Sequence, residues 1–136
     1  MSRRYLLDTN AVSDLIYRRK GVHERAVDVR KKGAKIGTCA PVIGELYFGA
    51  ELSTSRGRNL GDLKQGLRGI VVWPYHILEA EEFGKIRAEL KRLGRPMQVV
   101  DIQLAAVAKV LGQCTIVTSD TDLLAIPGLD IENWTE

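Results

Sequence analysis

The sequence contains little cysteine and no long hydrophobic run. Its two cysteines, Cys39 and Cys114, are far apart, and neither belongs to a CxxC or Cys/His pattern, which argues against a zinc site or thiol redox chemistry. We expect both to be small buried side chains. The apolar run after Arg4 is too short for a secretory signal, and no stretch approaches the ~18 apolar residues that a membrane helix needs. We therefore expect a cytoplasmic protein without a membrane segment.

The chain has 136 residues, of which 45% are hydrophobic and 27% are charged. That length suits one ordinary domain, and the composition is typical of a globular protein. No linker, internal repeat or low-complexity tract divides the sequence. We expect residues 1–136 to form a single domain.

Short β-branched or apolar runs alternate with longer helical patterns along the chain. This alternation predicts an α/β fold with a largely parallel sheet. The predicted strands run from Arg4 to Leu7, from Ile36 to Ala40, from Ile70 to Trp73, from Thr115 to Thr118 and from Leu129 to Glu132.

Helical patterns fill most of the sequence between these strands. Asn10 is predicted to cap a helix directly after the first strand. Apolar residues recur at spacings of three and four from Ile77 to Leu93, which predicts an amphipathic helix that Gly94 ends. A second, alanine-rich helix is predicted from Val99 to Leu111, and it should be the most buried one. The glycines and arginines from Ser53 to Gly69 predict only a looser helical hairpin or loop.

Acidic residues stand where predicted strands end and where predicted helices begin. Asp8 closes the first strand, and Asp120 follows the fourth. Glu45 lies in the first turns of the helix that Pro41 begins, and Asp101 lies in the first turns of the alanine-rich helix. Because ligands of open parallel sheets bind at the carboxyl ends of the strands, we expect these four carboxylates to converge on one edge of the sheet.

Each of these acids also has a purely structural explanation. An aspartate after a strand, such as Asp8 or Asp120, is often a turn residue or a helix cap. Glu45 and Asp101 lie in apolar stretches, where a solvated surface role fits poorly, and a buried charge persists only when it is paired or bound to a metal. An ion pair with an arginine distant in sequence is therefore an alternative to a metal site.

Clustered carboxylates repel one another, and a divalent cation removes that conflict. Oxygen ligands alone favour Mg²⁺ or Mn²⁺ over zinc, and no histidine or cysteine stands at a suitable spacing. Carboxylate-bound Mg²⁺ that keeps several waters is the usual arrangement for phosphodiester hydrolysis, in which the metal activates a water and offsets charge on the phosphate. The acids therefore indicate metal-dependent phosphodiester chemistry.

Polar residues next to these acids are candidate supporting groups. Asp122 is either a fifth metal ligand or the cap of the helix that follows it, and the cap is the simpler explanation. Thr9, Thr118 and Ser119 can offer hydroxyls to an acid or to a water, although local backbone hydrogen bonding explains them equally well. Asn10 completes this supporting set.

The formal charge of +3 hides an excess of cations. Without the five acids named above, 20 basic residues face 12 acidic ones. Such an excess attracts a polyanion, although any one basic cluster is also typical of a solvated helix face. The clusters are Arg18-Arg19-Lys20, Arg30-Lys31-Lys32 with Lys35, Arg56 with Arg58, and Lys91-Arg92 with Arg95.

Four short motifs around the acids, together with the C-terminal segment, occur in an order that is specific as a set. They are Leu7-Asp8-Thr9-Asn10, Gly44-Glu45-Leu46 with Tyr47-Phe48-Gly49, Gly94-Arg95-Pro96 followed by Asp101-Ile102-Gln103-Leu104-Ala105-Ala106, Val117-Thr118-Ser119-Asp120, and Ile126-Pro127-Gly128-Leu129 leading to Trp134. In these motifs, over nearly its whole length, the chain resembles PIN-domain proteins and specifically VapC-type toxin ribonucleases.

The resemblance implies a three-layer α/β/α sandwich around a largely parallel sheet. It implies an endoribonuclease that cleaves structured RNA with the help of Mg²⁺ or Mn²⁺, in which Asp8, Glu45, Asp101 and Asp120 are catalytic and bind the metal. It further implies a homodimer that is inhibited by a VapB-like antitoxin and that meets DNA only through this antitoxin.

Two alternatives stay open at this point. A PIN nuclease of RNA processing or decay that is not a toxin would use the same acids. A nonenzymatic α/β binding module, in which the acids merely cap helices, differs in one testable respect, because it does not require the carboxylates to converge.

Overall fold

Five parallel strands form the sheet at the centre of the molecule. The computed structural model describes residues 2–135, and within them the strands lie in the spatial order β3-β2-β1-β4-β5. The strands are β1 (Arg4–Leu7), β2 (Lys35–Cys39), β3 (Val71–Trp73), β4 (Cys114–Val117) and β5 (Asp130–Glu132). Each observed strand begins and ends within one residue of its predicted bounds.

This strand order creates a topological switch point between β1 and β4. The chain leaves β1 towards β2 and β3, and then returns to the other side of β1 with β4 and β5. Because crossovers between parallel strands are right-handed, the two directions place helices on opposite faces of the sheet. The predicted three-layer α/β/α sandwich is confirmed, and its crevice opens at the carboxyl ends of β1 and β4.

Six α-helices and one short 3₁₀-helix connect the strands within residues 2–135. They are α1 (Thr9–Ile16), α2 (Val22–Lys31), α3 (Ala40–Leu52), α4 (Arg56–Leu67), α5 (Ile77–Arg92), α6 (Val99–Leu111) and the 3₁₀-helix (Thr121–Ala125). α6 has its predicted bounds, and Gly94, with a φ of +66°, follows the end of α5 as predicted. In the described part of the chain, no helix combines the length and the hydropathy that crossing a bilayer requires.

Two helices depart from what the sequence predicts. The pattern gives no sign of α2, because only Val22, Ala26 and Val29 are buried among charged neighbours. The segment of α4, for which the sequence predicts a looser helical hairpin or loop, is one regular helix. A Cβ on Gly66 would lie 2.5 Å from the side chain of Ile16. Glycine therefore lets α4 pack closely against α1, and this contact outweighs the low helix propensity of the segment.

Both cysteines lie in the core, as expected. Cys39 ends β2 and Cys114 begins β4, and both are free and buried. Burial raises the pKa of each thiol to about 11. The thiols are therefore protonated at neutral pH, and their role is packing rather than chemistry.

Hydrogen bonds fix the end of β1, where the first acid of the sequence stands. The backbone N–H of Asp8 donates to the carbonyl of Val117 over 3.1 Å, and the hydroxyl of Thr38 donates to the carbonyl of Leu7 over 2.7 Å. Thr115 on β4 is also buried, but its hydroxyl has no hydrogen-bond partner within the described residues. The two strands that flank β1 thus each carry a buried threonine, and only one of the two hydroxyls is paired.

Replacing each threonine by valine should change stability in opposite directions. Thr38→Val removes the donor to Leu7 and should lower the free energy of unfolding by about 1 kcal/mol. Thr115→Val removes an unpaired buried hydroxyl and should raise that free energy by roughly 0.5–1 kcal/mol. Urea unfolding of both variants beside the wild type measures the two changes. A destabilised Thr115→Val would contradict this account of its hydroxyl.

Candidate active site

The structure brings the five candidate acids together in one pocket. The pocket has a volume of about 300 Å³ and opens at the carboxyl ends of β1 and β4, at the switch point of the sheet. Its lining residues are Asp8, Thr9, Asn10, Glu45, Gln98, Val100, Asp101, Asp120 and Asp122. The acids come from four separate places along the chain, so the fold produces the convergence that the sequence predicts. Their catalytic and metal-binding roles stay predictions.

Asp8 is the most firmly held of these acids. It is buried, and it is the N-cap of α1, because its Oδ1 accepts a hydrogen bond of 2.8 Å from the backbone N–H of Ala11. The hydroxyl of Thr118 donates to Oδ2 over 2.5 Å. The prediction that Asn10 caps this helix is wrong: Asn10 lies inside the first turn, where its exposed side chain lines the pocket. The cap falls on the residue three positions before Ala11, which is the usual N-cap geometry.

Thr118 links Asp8 to the loop after β4. Its hydroxyl oxygen accepts the backbone N–H of Asp120 over 3.0 Å while the same hydroxyl donates to Asp8. Ser119, its neighbour, is predicted to support the site, but it is exposed, does not line the pocket and makes no side-chain hydrogen bond among residues 2–135.

The expectation that Asp122 caps the short 3₁₀-helix after β4 is wrong. Asp120 is the N-cap, and its Oδ1 accepts the backbone N–H of Asp122 over 2.9 Å. Asp122 therefore does not cap the helix. Its carboxylate is exposed on the pocket wall and free of hydrogen bonds and ion pairs among the described residues.

Glu45 lies on α3, and it is more exposed than its apolar neighbours suggest. The reason is the orientation of α3, of which only Val42 is buried. Phe48 and Leu52 are 63% and 73% exposed on the same helix. An apolar sequence around an acid therefore indicates an uncovered apolar surface here, and not a buried charge.

Burial and repulsion between neighbouring carboxylates raise the pKa of Asp8 and Asp101 in the pocket. Desolvation by burial, followed by the charges of Asp120 and Asp8, raises the pKa of Asp101 to about 6. Burial likewise raises the pKa of Asp8, although its hydrogen bonds from Thr118 and Ala11 oppose that rise. The N-termini of α1 and α6 lie at the pocket and add partial positive charge, which reduces the repulsion. The pocket thus favours a proton or a cation.

The donor set fits a hard divalent cation. Among residues 2–135, no three His, Cys, Asp or Glu side chains already stand around a single point. Mg²⁺ does not require such a cage, because it is commonly held by one or two carboxylates and keeps several waters. The pocket offers only oxygen and amide donors, and burial raises the pKa of its two least exposed acids, Asp8 and Asp101.

Two lining residues are not predicted from the sequence. Gln98 is the N-cap of α6 and is exposed at the pocket, and Val100 follows in the first turn of the helix. The signal that could have found them is position, because the start of a helix that carries a site acid faces the same crevice as that acid. Position is also what identifies Asp101, and Gln98 stands three residues before it.

The raised pKa of Asp101 predicts a pH dependence of stability in the metal-free protein. A folded-state pKa of about 6 against an ordinary 3.8 means that the proton stabilises the fold below pH 4, and that this stabilisation is lost as the pH rises through 6. Asp101→Asn should therefore gain stability relative to the wild type between pH 4 and pH 7, by about 1–2 kcal/mol after allowance for solvent screening. Chemical unfolding in chelator at several pH values measures the gain.

Asp28→Asn, which alters an exposed acid on α2, is the matched control and should show no comparable gain. A constant difference between Asp101→Asn and the wild type across this pH range would contradict the crowded pocket.

Comparison with known proteins identifies the family. A sequence profile described as PIN domain matches residues 5–129. Ribonuclease VapC2 from Haemophilus influenzae is 30% identical over 131 residues, which cover 96% of this chain and 98% of that protein. The tRNA(fMet)-specific endonuclease VapC from Shigella flexneri is 30% identical over 132 residues, with 96% and 98% covered.

Solved structures agree with the sequence relatives. A chain in the crystal structure of DNA-bound VapBC from Salmonella typhimurium superposes with a TM-score of 0.84 at 30% identity, over 98% of this chain and 99% of that one. Similarity in both sequence and fold thus extends over nearly the full length. The chain belongs to the PIN domain family and, within it, to the VapC group.

Proposed function

We propose that this chain is a Mg²⁺- or Mn²⁺-dependent endoribonuclease and the toxin of a VapBC pair. The observation that carries the proposal is the convergence of five carboxylates on one pocket at the switch point of the sheet. Such a pocket suits a divalent cation and a phosphodiester. The relatives named ribonuclease VapC and tRNA(fMet)-specific endonuclease VapC support an RNA substrate, and folded tRNA is the first one to test.

The acids divide by depth into two groups. Asp8 and Asp101 lie deepest and are the proposed principal metal ligands, whereas Glu45, Asp120 and Asp122 stand exposed at the rim. A bound Mg²⁺ or Mn²⁺ supplies Lewis acidity towards the phosphate and lowers the pKa of water. Rim carboxylates are placed to complete the ligand set or to accept the proton that water releases.

Neutral residues of α1 complete the proposed site. Thr9 and Asn10 line the pocket in the first turn of the helix, directly after Asp8. Their side chains can donate hydrogen bonds to phosphate oxygens, and the positive end of the α1 dipole favours the same anion. Thr118 acts on Asp8 rather than on substrate, because its hydroxyl orients the carboxylate.

We further propose where the antitoxin binds. A groove of about 240 Å³ between α1, α3 and α4 shares Thr9, Asn10 and Glu45 with the acid pocket and has apolar walls that include Ile16 and Leu63. The exposed apolar side chains of α3 continue this surface. A VapB-like partner can cover it with apolar side chains and insert an arginine into the acid pocket, because a guanidinium matches carboxylate geometry and stays charged.

The VapBC of Salmonella typhimurium was solved bound to DNA. We propose that the present chain forms a homodimer and meets DNA only through its antitoxin.

Asp8→Asn tests the metal site. Asparagine can still cap α1, so the variant should fold, and in chelator it should melt at the wild-type temperature or above, because it relieves like-charge repulsion. Cleavage of tRNA should fall by at least about 100-fold. Mg²⁺ should raise the melting temperature of the wild type clearly more than that of Asp8→Asn, with Asp28→Asn responding like the wild type. Equal responses of all three proteins would remove Asp8 from the ligand set.

Inhibition by the antitoxin should depend on metal concentration. If an arginine competes for the carboxylates, the inhibited fraction should fall as Mg²⁺ rises at fixed antitoxin, and replacing that arginine by alanine should weaken inhibition. Replacement by lysine should restore inhibition only in part, because an ammonium cannot bridge two carboxylates with a planar fork. If inhibition depends neither on the Mg²⁺ concentration nor on the arginine, the antitoxin must act at the dimer interface or at the RNA-binding surface instead.

A further inference from the structure

A second groove adjoins the acid pocket. It consists of two concavities of about 370 Å³ and 510 Å³ along the C-terminal half of α5 and the loop to α6. We call it the α5–α6 groove, and its lining residues include Arg87, Leu90, Lys91, Arg95, Met97 and Asp122. The concavities share the segment from Gly94 to Met97, and the second shares Asp122 with the acid pocket. The groove is therefore continuous with the candidate active site.

Three cations in this groove have no acidic partner among residues 2–135. Arg87, Lys91 and Arg95 are at least partly exposed, and none of them forms an ion pair within residues 2–135. Arg87 stacks at 5.8 Å from the ring centroid of Phe83, which orients its guanidinium without neutralising it. The groove thus presents three cations that form no ion pair among residues 2–135, and Asp122, at the junction with the acid pocket, is the acid among its lining residues.

In contrast, the other two cations of α5 form ion pairs. Lys85 is within 3.8 Å of Glu82, and Arg92 is within 3.0 Å of Glu89. Neither Lys85 nor Arg92 lines the groove. The cations that face the groove are thus the unpaired ones.

Another basic concavity, of about 770 Å³, lacks these properties. It lies near the start of β1, at the opposite edge of the sheet from the acid pocket. Its three cations all have acidic partners, and the pairs are Arg3 with Asp130, Arg25 with Glu132 and Lys32 with Asp28. Charge and position both favour the α5–α6 groove as the surface that works together with the acid pocket.

The acid pocket creates a need for such a groove. Its carboxylates repel an incoming polyanion, and a bound cation offsets this repulsion only at the phosphate next to it. Phosphates on either side of that one must be held by cations within a few nucleotides, since backbone contacts fix the register of a nucleic acid on a protein. The α5–α6 groove begins at Asp122 and presents its first cation, Arg95, in the concavity that contains this acid.

We propose that the α5–α6 groove holds the phosphate backbone of the RNA strand that flanks the scissile bond. Arg95 contacts the phosphates nearest to the acid pocket, and Lys91 and Arg87 contact those further along α5. The apolar floor formed by Leu90 and Met97 packs against ribose or base without selecting a sequence. This assignment rests on the proposed ribonuclease function and adds the path of the substrate. It also separates that path from the apolar α1–α3–α4 groove proposed for the antitoxin.

The test is the salt dependence of RNA binding. A fluorescently labelled single-stranded RNA is titrated in chelator, which prevents cleavage, at KCl concentrations from about 50 to roughly 200 mM. Each of Arg95→Ala and Lys91→Ala should weaken binding several-fold and reduce the slope of log K against log salt by about 0.7, the value for one single-strand phosphate that the protein no longer neutralises. Arg95→Lys should keep most of the slope, because the charge remains.

Arg92→Ala and Lys85→Ala are matched controls, because each removes one positive charge from α5, the helix that also carries Lys91, at a position outside the groove. Both should bind with the wild-type slope. Slopes that fall equally in groove and control variants, or in neither, overturn the assignment. A loss of antitoxin binding in Arg95→Ala with RNA binding intact also overturns it, since the groove would then take a peptide.

Cleavage kinetics separate this inference from the proposed function. With Mg²⁺, groove variants should raise KM for tRNA about three- to ten-fold and leave kcat near the wild-type value, as expected when the mutation removes an interaction of equal strength in the ground and transition states. If the wild type cleaves RNA and the groove variants keep its KM and salt slope, only the groove assignment fails. If the wild type cleaves no RNA with Mg²⁺ or Mn²⁺, the proposed function fails, and the groove assignment fails with it.

Discussion

Repulsion between crowded carboxylates is the constraint that shapes this molecule, because the acids share one pocket only if the surrounding structure holds them there. Asp8 is held from two directions, by the first turn of α1 and by the hydroxyl of Thr118. That hydroxyl also accepts the N–H of Asp120, so one side chain joins acids that follow two different strands. The positive ends of α1 and α6 offset part of the remaining charge. The sheet order makes this possible by placing β1 beside β4.

The location of the site is predictable from sequence, but its local geometry is not. Strand ends and helix starts are visible in the hydrophobic patterns, and they are enough to predict that Asp8 and Asp101 lie at one edge of the sheet, as they do. Which residue caps a helix depends on where its first turn begins, and a shift of two positions moves the cap from Asn10 to Asp8 and from Asp122 to Asp120.

The sequence gives no prediction of α2 and only a loose one of α4, and the two shortfalls have a common cause. α2 buries one narrow row of side chains among charges, and α4 is rich in glycine, so neither has a strong periodic signal. Their stability comes from tertiary packing, such as the approach of α4 to α1 at Gly66. The exposure of Glu45 could not be predicted either. The apolar pattern of α3 suggests a buried helix, but most of its apolar side chains are not buried.

Both native thiols lie inside the core with raised pKa values. Maleimides and mild oxidants react with a thiolate that they can reach, so the native chain offers them almost nothing. A cysteine introduced on an exposed face, for example on α2, would therefore be a unique attachment point without removal of Cys39 or Cys114. Two such cysteines, one on each side of the crevice, would carry a pair of dye or spin labels that reports distances across it on an otherwise unaltered background.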